Sequence, residues 1–332
     1  MIPARAHPYN GIYTATVSPL AADGSLDEPT LARHLADAVA TDGIVGVLIN
    51  GHAGENFMLS RAEKKRVVEI AKATIGHQAI LVCGINAESS LDAADHARDA
   101  EGTGADVLLV FPPFSWTLSQ DATMALNHHR TIAAASGLPL MLYQAGVGTH
   151  SLAYNPATLS ALVQLPGVIG IKEGSWESAR YEANRRLVRK VAPHVAVMAS
   201  GDEHLLSCMA IGSEGSLVSL AVLVPELIVA LDRAIAASDL ATARALNDRI
   251  YPLATAIYGM APGGHANARL KACLKLIGKL PNDLMRPPIG PLPAAEMAVL
   301  EAALVTAGLL AAAPRRSPRQ RANRSPTKGV SS

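Results

Sequence analysis

A chain of 332 residues with 49% apolar and 17% charged side chains can bury a large core, which excludes a disordered polymer. A net charge of +1 gives no composition-wide basic face for nucleic acid, and no run of about 18 uninterrupted apolar residues offers a membrane helix. Cys83, Cys208 and Cys273 are isolated, with no C-x-x-C spacing, which argues against a disulfide framework or zinc site and fits a reducing compartment. The N-terminus, MIPARAHPYNG, lacks the apolar run of a secretory signal, so a cytoplasmic location is expected.

Taken in chain order, short apolar runs alternate with longer helical patterns. The first run, GIYTATVSPL (11–20), precedes a helical pattern over 26–41, with Leu31, Leu35, Ala36 and Val39 on one face. The second, GIVGVLIN (43–50), leads through the turn Gly51-His52-Ala53-Gly54-Glu55 to a helix over 60–74. That helix opens with Ser60 and Glu63 at capping-box spacing. AILVCGI (79–85) precedes a helix that begins at Ser89 and runs out at Gly102 and Gly104. ADVLLVF (105–111), LPLMLY (138–143), VIGIK (168–172), VAVMAS (195–200) and GSLVSL (215–220) complete eight candidate strands. Helices fit 119–135, 155–164, 176–191, 203–211 and 224–236 between and after them.

Strict β/α alternation argues for parallel strands with crossover helices, and eight units in roughly 230 residues argue for a closed (β/α)8 barrel. Three more helical patterns follow, at about 239–259, 265–277 and 294–310. The expected organisation is a barrel over 8–237 and a helical extension over 238–311 packed against it. A tail over 312–332 is rich in Pro, Ser and Arg and carries six basic and no acidic residues. That tail reads as a disordered, solvated extension, with contact to an anionic surface as the alternative.

Reacting groups in such barrels sit at the C-terminal ends of strands. The sixth strand ends in Lys172, whose amine would be partly desolvated and so available for condensation with a carbonyl. The alternative is an ordinary loop lysine paired with Glu173 or solvent. The fifth ends in Tyr143, placed to move a proton beside Lys172 or merely to pack its ring. The two glycines around His52 and Ala53 suit backbone N–H contact with an anion such as a carboxylate, but the turn lacks the length and Lys-Ser/Thr of a P-loop. Ser200 or Asp202 would cap the following helix. His128 and His129 lie on adjacent helix faces and cannot share one metal, so no metal site is expected.

These motifs together resemble the dihydrodipicolinate synthase/N-acetylneuraminate lyase superfamily of class I aldolases. The likeness is carried by GIYTATVSPL with Asp23-Gly24, the turn Gly51–Glu55, GADVLLVFPP (104–113), LPLMLYQ (138–144), VIGIKEGS (168–175), SGDE (200–203), GSEGSLVS (212–219) and RPPIGPL (286–292). The resemblance implies that Lys172 forms a Schiff base with pyruvate or a longer 2-oxo acid and that Tyr143 relays protons. It implies a carboxylate pocket at the N–H groups of Ala53 and Gly54, and substrate lining at Gly201 and Leu217. It further implies no metal or organic cofactor, and a homotetramer of paired dimers.

Departures from the family pattern qualify this. Where dihydrodipicolinate synthases carry two threonines this chain has His52 and Ala53, and Ser115 replaces a tyrosine donated across the dimer. Gly148 stands where an arginine grips the second substrate's carboxylate. The sequence therefore points to a lyase, aldolase or dehydratase, on a 2-oxo acid, with a partner bulkier or less anionic than aspartate semialdehyde. His52, with an imidazole near about 6.5, would serve as acid or base in place of the missing hydroxyls. The alternatives are an ordinary dihydrodipicolinate synthase with a substitute cation, a non-catalytic 2-oxo acid-binding barrel, and a metal-dependent aldolase.

Overall fold

The computed structural model of the protein describes residues 9–311; the basic tail lies outside them. Eight parallel strands close on themselves in sequence order, β1 (Gly11–Ala15), β2 (Ile44–Ile49), β3 (Ile80–Ile85), β4 (Val107–Val110), β5 (Leu140–Gln144), β6 (Val168–Glu173), β7 (Ala196–Ala199) and β8 (Gly215–Val218). The expected (β/α)8 barrel is thus the observed one. Its strands are short and apolar because helices cover them outside and side chains fill them inside. Every residue of β4 and β7 is fully buried.

The first strand is shorter than the sequence suggests, ending at Ala15 rather than near Leu20. Thr16 still bonds to Leu48, but beyond it Pro19 has no N–H to donate. Leu20 pairs instead with Leu26 across the Asp23-Gly24 turn.

Helices α1 (Glu28–Val39), α2 (Arg61–Ile75), α3 (Ser90–Thr103), α4 (Ala122–Ala135), α5 (Pro156–Val163), α6 (Ser178–Val191), α7 (Leu205–Ile211) and α8 (Pro225–Ala236) form the outer ring. The capping box at Ser60 and Glu63 is present, with Ser60 accepting from the Glu63 N–H and the Glu63 carboxylate accepting from the Ser60 N–H. Gly104 ends α3 in the left-handed conformation, φ 101°. The sixth helix starts at Ser178, two residues later than its pattern suggests, because Trp176 itself is held at φ 59°.

Three further helices, α9 (Leu240–Tyr258), α10 (Ala266–Leu276) and α11 (Ala294–Ala307), pack on one another, and α9 lies along α8. A fully buried Arg269 ties them together. Its guanidinium donates to the carbonyls of Ile257, Met260 and Ala261 and pairs with Glu296 of α11. Arg286, on the segment leading to α11, reaches back to Gly24, Met58 and the capping-box carboxylate of Glu63.

Barrel closure depends on a close approach between β1 and β8. Gly11 pairs with Gly215, and a Cβ on Gly215 would lie 1.9 Å from the Gly11 carbonyl oxygen. Backbone on both sides leaves nothing flexible to move. Gly215→Ala is expected to destabilise the protein by about 3 kcal/mol or more, at the top of the overpacking range, measured by urea unfolding. Wild-type stability in that variant would show that β1 and β8 can separate without cost.

Candidate active site

The C-terminal ends of the strands open into a cavity of about 290 Å3. Period-two alternation decides what reaches it. In β6 Ile171 is fully buried, Lys172 faces the cavity, and Glu173 faces outward onto α6. The Glu173 carboxylate is buried there, accepting from Asn184 at 2.7 Å and from the Ser175 hydroxyl at 2.9 Å. The pairing of Lys172 with Glu173 that the sequence left open is therefore absent. In β5, Tyr143 is in register with Lys172, and the lysine Nζ lies 5.7 Å from the centre of the phenol ring.

Burial acts on both groups in opposite chemical senses. It lowers the Lys172 ammonium to about 8, and the nearby Asp202 carboxylate opposes the shift. It raises the Tyr143 hydroxyl to about 12, helped by the charges of Glu173 and Asp202, so the phenol keeps its proton at neutral pH. Asp202 is itself pushed up to about 6, mainly by burial. It is not the helix cap its position suggested. Its side chain instead accepts from the Leu220 N–H, 3.0 Å away beyond β8, and lies against the cavity.

The turn after β2 brings His52 and Ala53 to the cavity. The Glu55 and Asn56 N–H groups close it onto the carbonyls of His52 and Gly51. Among the described residues the Ala53 and Gly54 N–H groups meet no backbone acceptor. Glu55 sits below at φ 55° and is paired, wholly buried, with Lys271 of α10. Asn267, one turn earlier on α10, donates to the His52 carbonyl at 2.7 Å. Thus α10, the second of the three C-terminal helices, braces a turn more than two hundred residues away.

His52 departs from the expectation of an imidazole near neutral pKa. Its ring stacks on Phe111 at 4.2 Å between centroids, with Phe114 at 5.6 Å and the Tyr143 ring edge-on at 5.3 Å. Burial, and then the charge of Lys172, lower it to about 3, and its Nε2 has no hydrogen-bond partner. At neutral pH it is an uncharged ring that can share a hydrogen bond but does not carry a stored proton.

Of the expected site residues, Lys172, Tyr143, His52 and Ala53 line one cavity. Gly54, Gly201 and Leu217 do not. The Gly54 carbonyl is held by the Ser18 hydroxyl at 2.8 Å, behind the turn. Gly201 lies between Ser200 and Asp202, which supply the lining at that point. Leu217 is fully buried in β8, and Ser219, two residues on, faces the cavity. The sequence reading missed Phe57, Phe114, Ser219, Tyr258 and Asn267, all of which line it. Tyr258 closes α9, bonds to Ser219 at 2.6 Å and packs against Trp176. Among the described residues no three His, Cys, Asp or Glu side chains gather as a metal-ligand set, and no helix is long and apolar enough to cross a membrane.

A family model for the dihydrodipicolinate synthetase family matches residues 8–307. The chain belongs to that family. With it comes the family's chemistry, that of class I, lysine-imine lyases. Relatives include 4-hydroxy-tetrahydrodipicolinate synthase of Acidiphilium cryptum, 32% identical over 91% of this chain and the whole of that one. An uncharacterised DapA-like lyase of Halobacterium salinarum is 31% identical over 91% of this chain and 95% of its own. The crystal structure of dihydrodipicolinate synthase from Agrobacterium tumefaciens superposes with a TM-score of 0.79 at 26% identity, covering 90% of this chain and 98% of that one. That of Thermotoga maritima gives 0.83 at 21% identity, covering 92% and 100%, a likeness of fold alone.

Two measurements follow. The ring signals of His52 should stay constant in an NMR titration between about pH 5 and 8; a midpoint near its ordinary value would restore a proton-carrying role. Lys271→Met leaves Glu55 buried without its counter-charge and should cost about 3–5 kcal/mol in chemical unfolding, with no loss if water reaches the carboxylate instead.

Proposed function

We propose that this family member condenses a 2-oxo acid, pyruvate or a longer homologue, with Lys172 and makes or breaks a bond next to the resulting imine. The observation that carries the reading is the amine of Lys172, half-buried in the cavity, in register with a protonated Tyr143 and free of the adjacent Glu173. At pH 7 an amine of pKa about 8 is roughly one-tenth neutral, on the order of 300 times more than an ordinary lysine.

The amine attacks the keto carbon and the carbinolamine loses water. The protonated imine then draws electron density from the neighbouring carbon, so that a C–C or C–O bond there forms or breaks. Tyr143 supplies and recovers the proton on the departing or arriving oxygen. The Ala53 and Gly54 N–H groups are the proposed donors to the 2-oxo carboxylate, and Gly201 and Leu217 are proposed as backing for the lining rather than as its surface. A neutral His52 packs beside the reacting centre.

The second reading is 4-hydroxy-tetrahydrodipicolinate synthase, the name carried by several relatives. It requires a cation for the carboxylate of aspartate semialdehyde. Lys172 is the one cationic side chain lining the cavity among the described residues, and a Cβ on Gly148 would meet nothing within 4 Å. A non-catalytic 2-oxo acid-binding barrel is the third, and it leaves the paired Lys172 and Tyr143 without a use. We further propose a cytoplasmic homotetramer. Three free, buried cysteines support the reducing compartment, and the sequence resemblance supports the paired dimers.

Borohydride reduction with pyruvate, followed by peptide mass spectrometry, should place a pyruvate-derived adduct on Lys172. The absence of an adduct with pyruvate and with longer 2-oxo acids would reduce the protein to a binding barrel. Because the attacking species is the free amine, the trapping rate should rise with pH and level off above about 8. Asp202→Asn removes the anion that holds the ammonium up, so the inflection should move to lower pH; an upward move would reverse the assigned electrostatics.

A further inference from the structure

Resting on the imine reading, we propose that the partner condensed with the Lys172-bound 2-oxo acid is an uncharged aromatic aldehyde. The chain is poor in aromatic residues and has three phenylalanines, Phe57, Phe111 and Phe114. All three gather around His52 beside the reacting lysine. Phe111 is buried beneath the imidazole, whereas Phe57 and Phe114 are 49% and 38% exposed and line the cavity. Their rings meet edge to face at 6.0 Å. Trp176 and Tyr258 add a second aromatic pair, 5.7 Å between centroids, to the same lining. These four rings line one cavity, and aromatic faces and edges select another ring.

The Phe114 ring is held in place rather than trailing in a loop. The Glu88 carboxylate accepts from the Phe114 and Ser115 N–H groups, both at 2.9 Å, and fixes the turn that carries the ring.

Several polar groups of the cavity are already engaged, although the His52 Nε2 is left unpartnered beside the lysine. Asn267 is bonded to the His52 carbonyl, Ser219 to Tyr258, and Asp202 to the Leu220 N–H. Lys172 is consumed by the imine, and the remaining charge, on Asp202, repels a second carboxylate. A cavity of about 290 Å3 lies at the small end of ligand pockets, matching a short 2-oxo acid and one ring.

The reaction balances without an added reagent. Imine formation releases one water, and the carbon next to the imine loses a proton to give the enamine. That carbon bonds to the aldehyde carbon, and the aldehyde oxygen takes up a proton by way of Tyr143. Water then returns to cleave the imine, releasing a 4-hydroxy-2-oxo acid and the free lysine.

The test uses the full chain with pyruvate and, in separate reactions, benzaldehyde, glyceraldehyde and aspartate semialdehyde, with product mass and kcat/KM as readouts. Benzaldehyde should exceed both others by about tenfold or more, and Phe57→Ala and Phe114→Ala should raise its KM at least about fivefold more than that of pyruvate. Failure to trap either pyruvate or a longer 2-oxo acid on Lys172 removes the imine reading and this inference with it. A trapped adduct with benzaldehyde no better than the two polar aldehydes, or KM values for both substrates rising together in the variants, removes this inference alone.

Discussion

Alternation of side chains along β6 keeps the Lys172 amine and the Glu173 carboxylate on opposite faces of one strand. Neighbours in sequence, they share no ion pair: the carboxylate is satisfied by Asn184 and Ser175 outside the barrel, and the amine stands inside with Tyr143 across one strand gap. A slip of one residue in the pairing of β5 with β6 would exchange these environments. Register is therefore a chemical variable here. Closure of the barrel at Gly11 and Gly215 constrains it, because the eight strands have no free edge at which a slip could be absorbed.

The electrostatics of the cavity follow from water exclusion more than from ion pairing. Burial is the first cause of each large shift at the site, downward for Lys172 and His52 and upward for Tyr143 and Asp202. The result near neutral pH is an amine close to release, a phenol that holds its proton, and an imidazole without charge. Aromatic packing around His52 creates that dry environment, and Phe114 carries it to the cavity wall.

Much of the fold was legible in the sequence because parallel barrel strands, buried on both faces, read as short apolar runs, and eight of them alternate with helical spacing. Strand-end position alone pointed to Lys172 and Tyr143. What was not legible depended on distant contacts. The register of apolar residues cannot reveal that Phe57, Phe111 and Phe114 converge on one imidazole, or that Tyr258 and Asn267 of the last helices reach the strand ends. The shift of His52 was hidden for the same reason: its ordinary pKa belongs to water, and the rings that exclude water come largely from the segment after β4 and from β5. Asp202 looked like a local cap because sequence shows neighbours along the chain and hides the Leu220 N–H across the barrel.

The bond from Asn267 to the His52 carbonyl spans 215 residues. At synthesis rates of about 5–20 residues per second, the turn beside Lys172 emerges on the order of ten seconds or more before the helix that braces it. Towards the end of that interval, once β8 is made, the nascent barrel has its strands but neither Lys271 beneath Glu55 nor the wall formed by Tyr258 and Asn267. Enclosure of the cavity is consequently a late event in the life of each molecule, withheld until the C-terminal helices dock, and a chain that ends after β8 presents Lys172 without that wall.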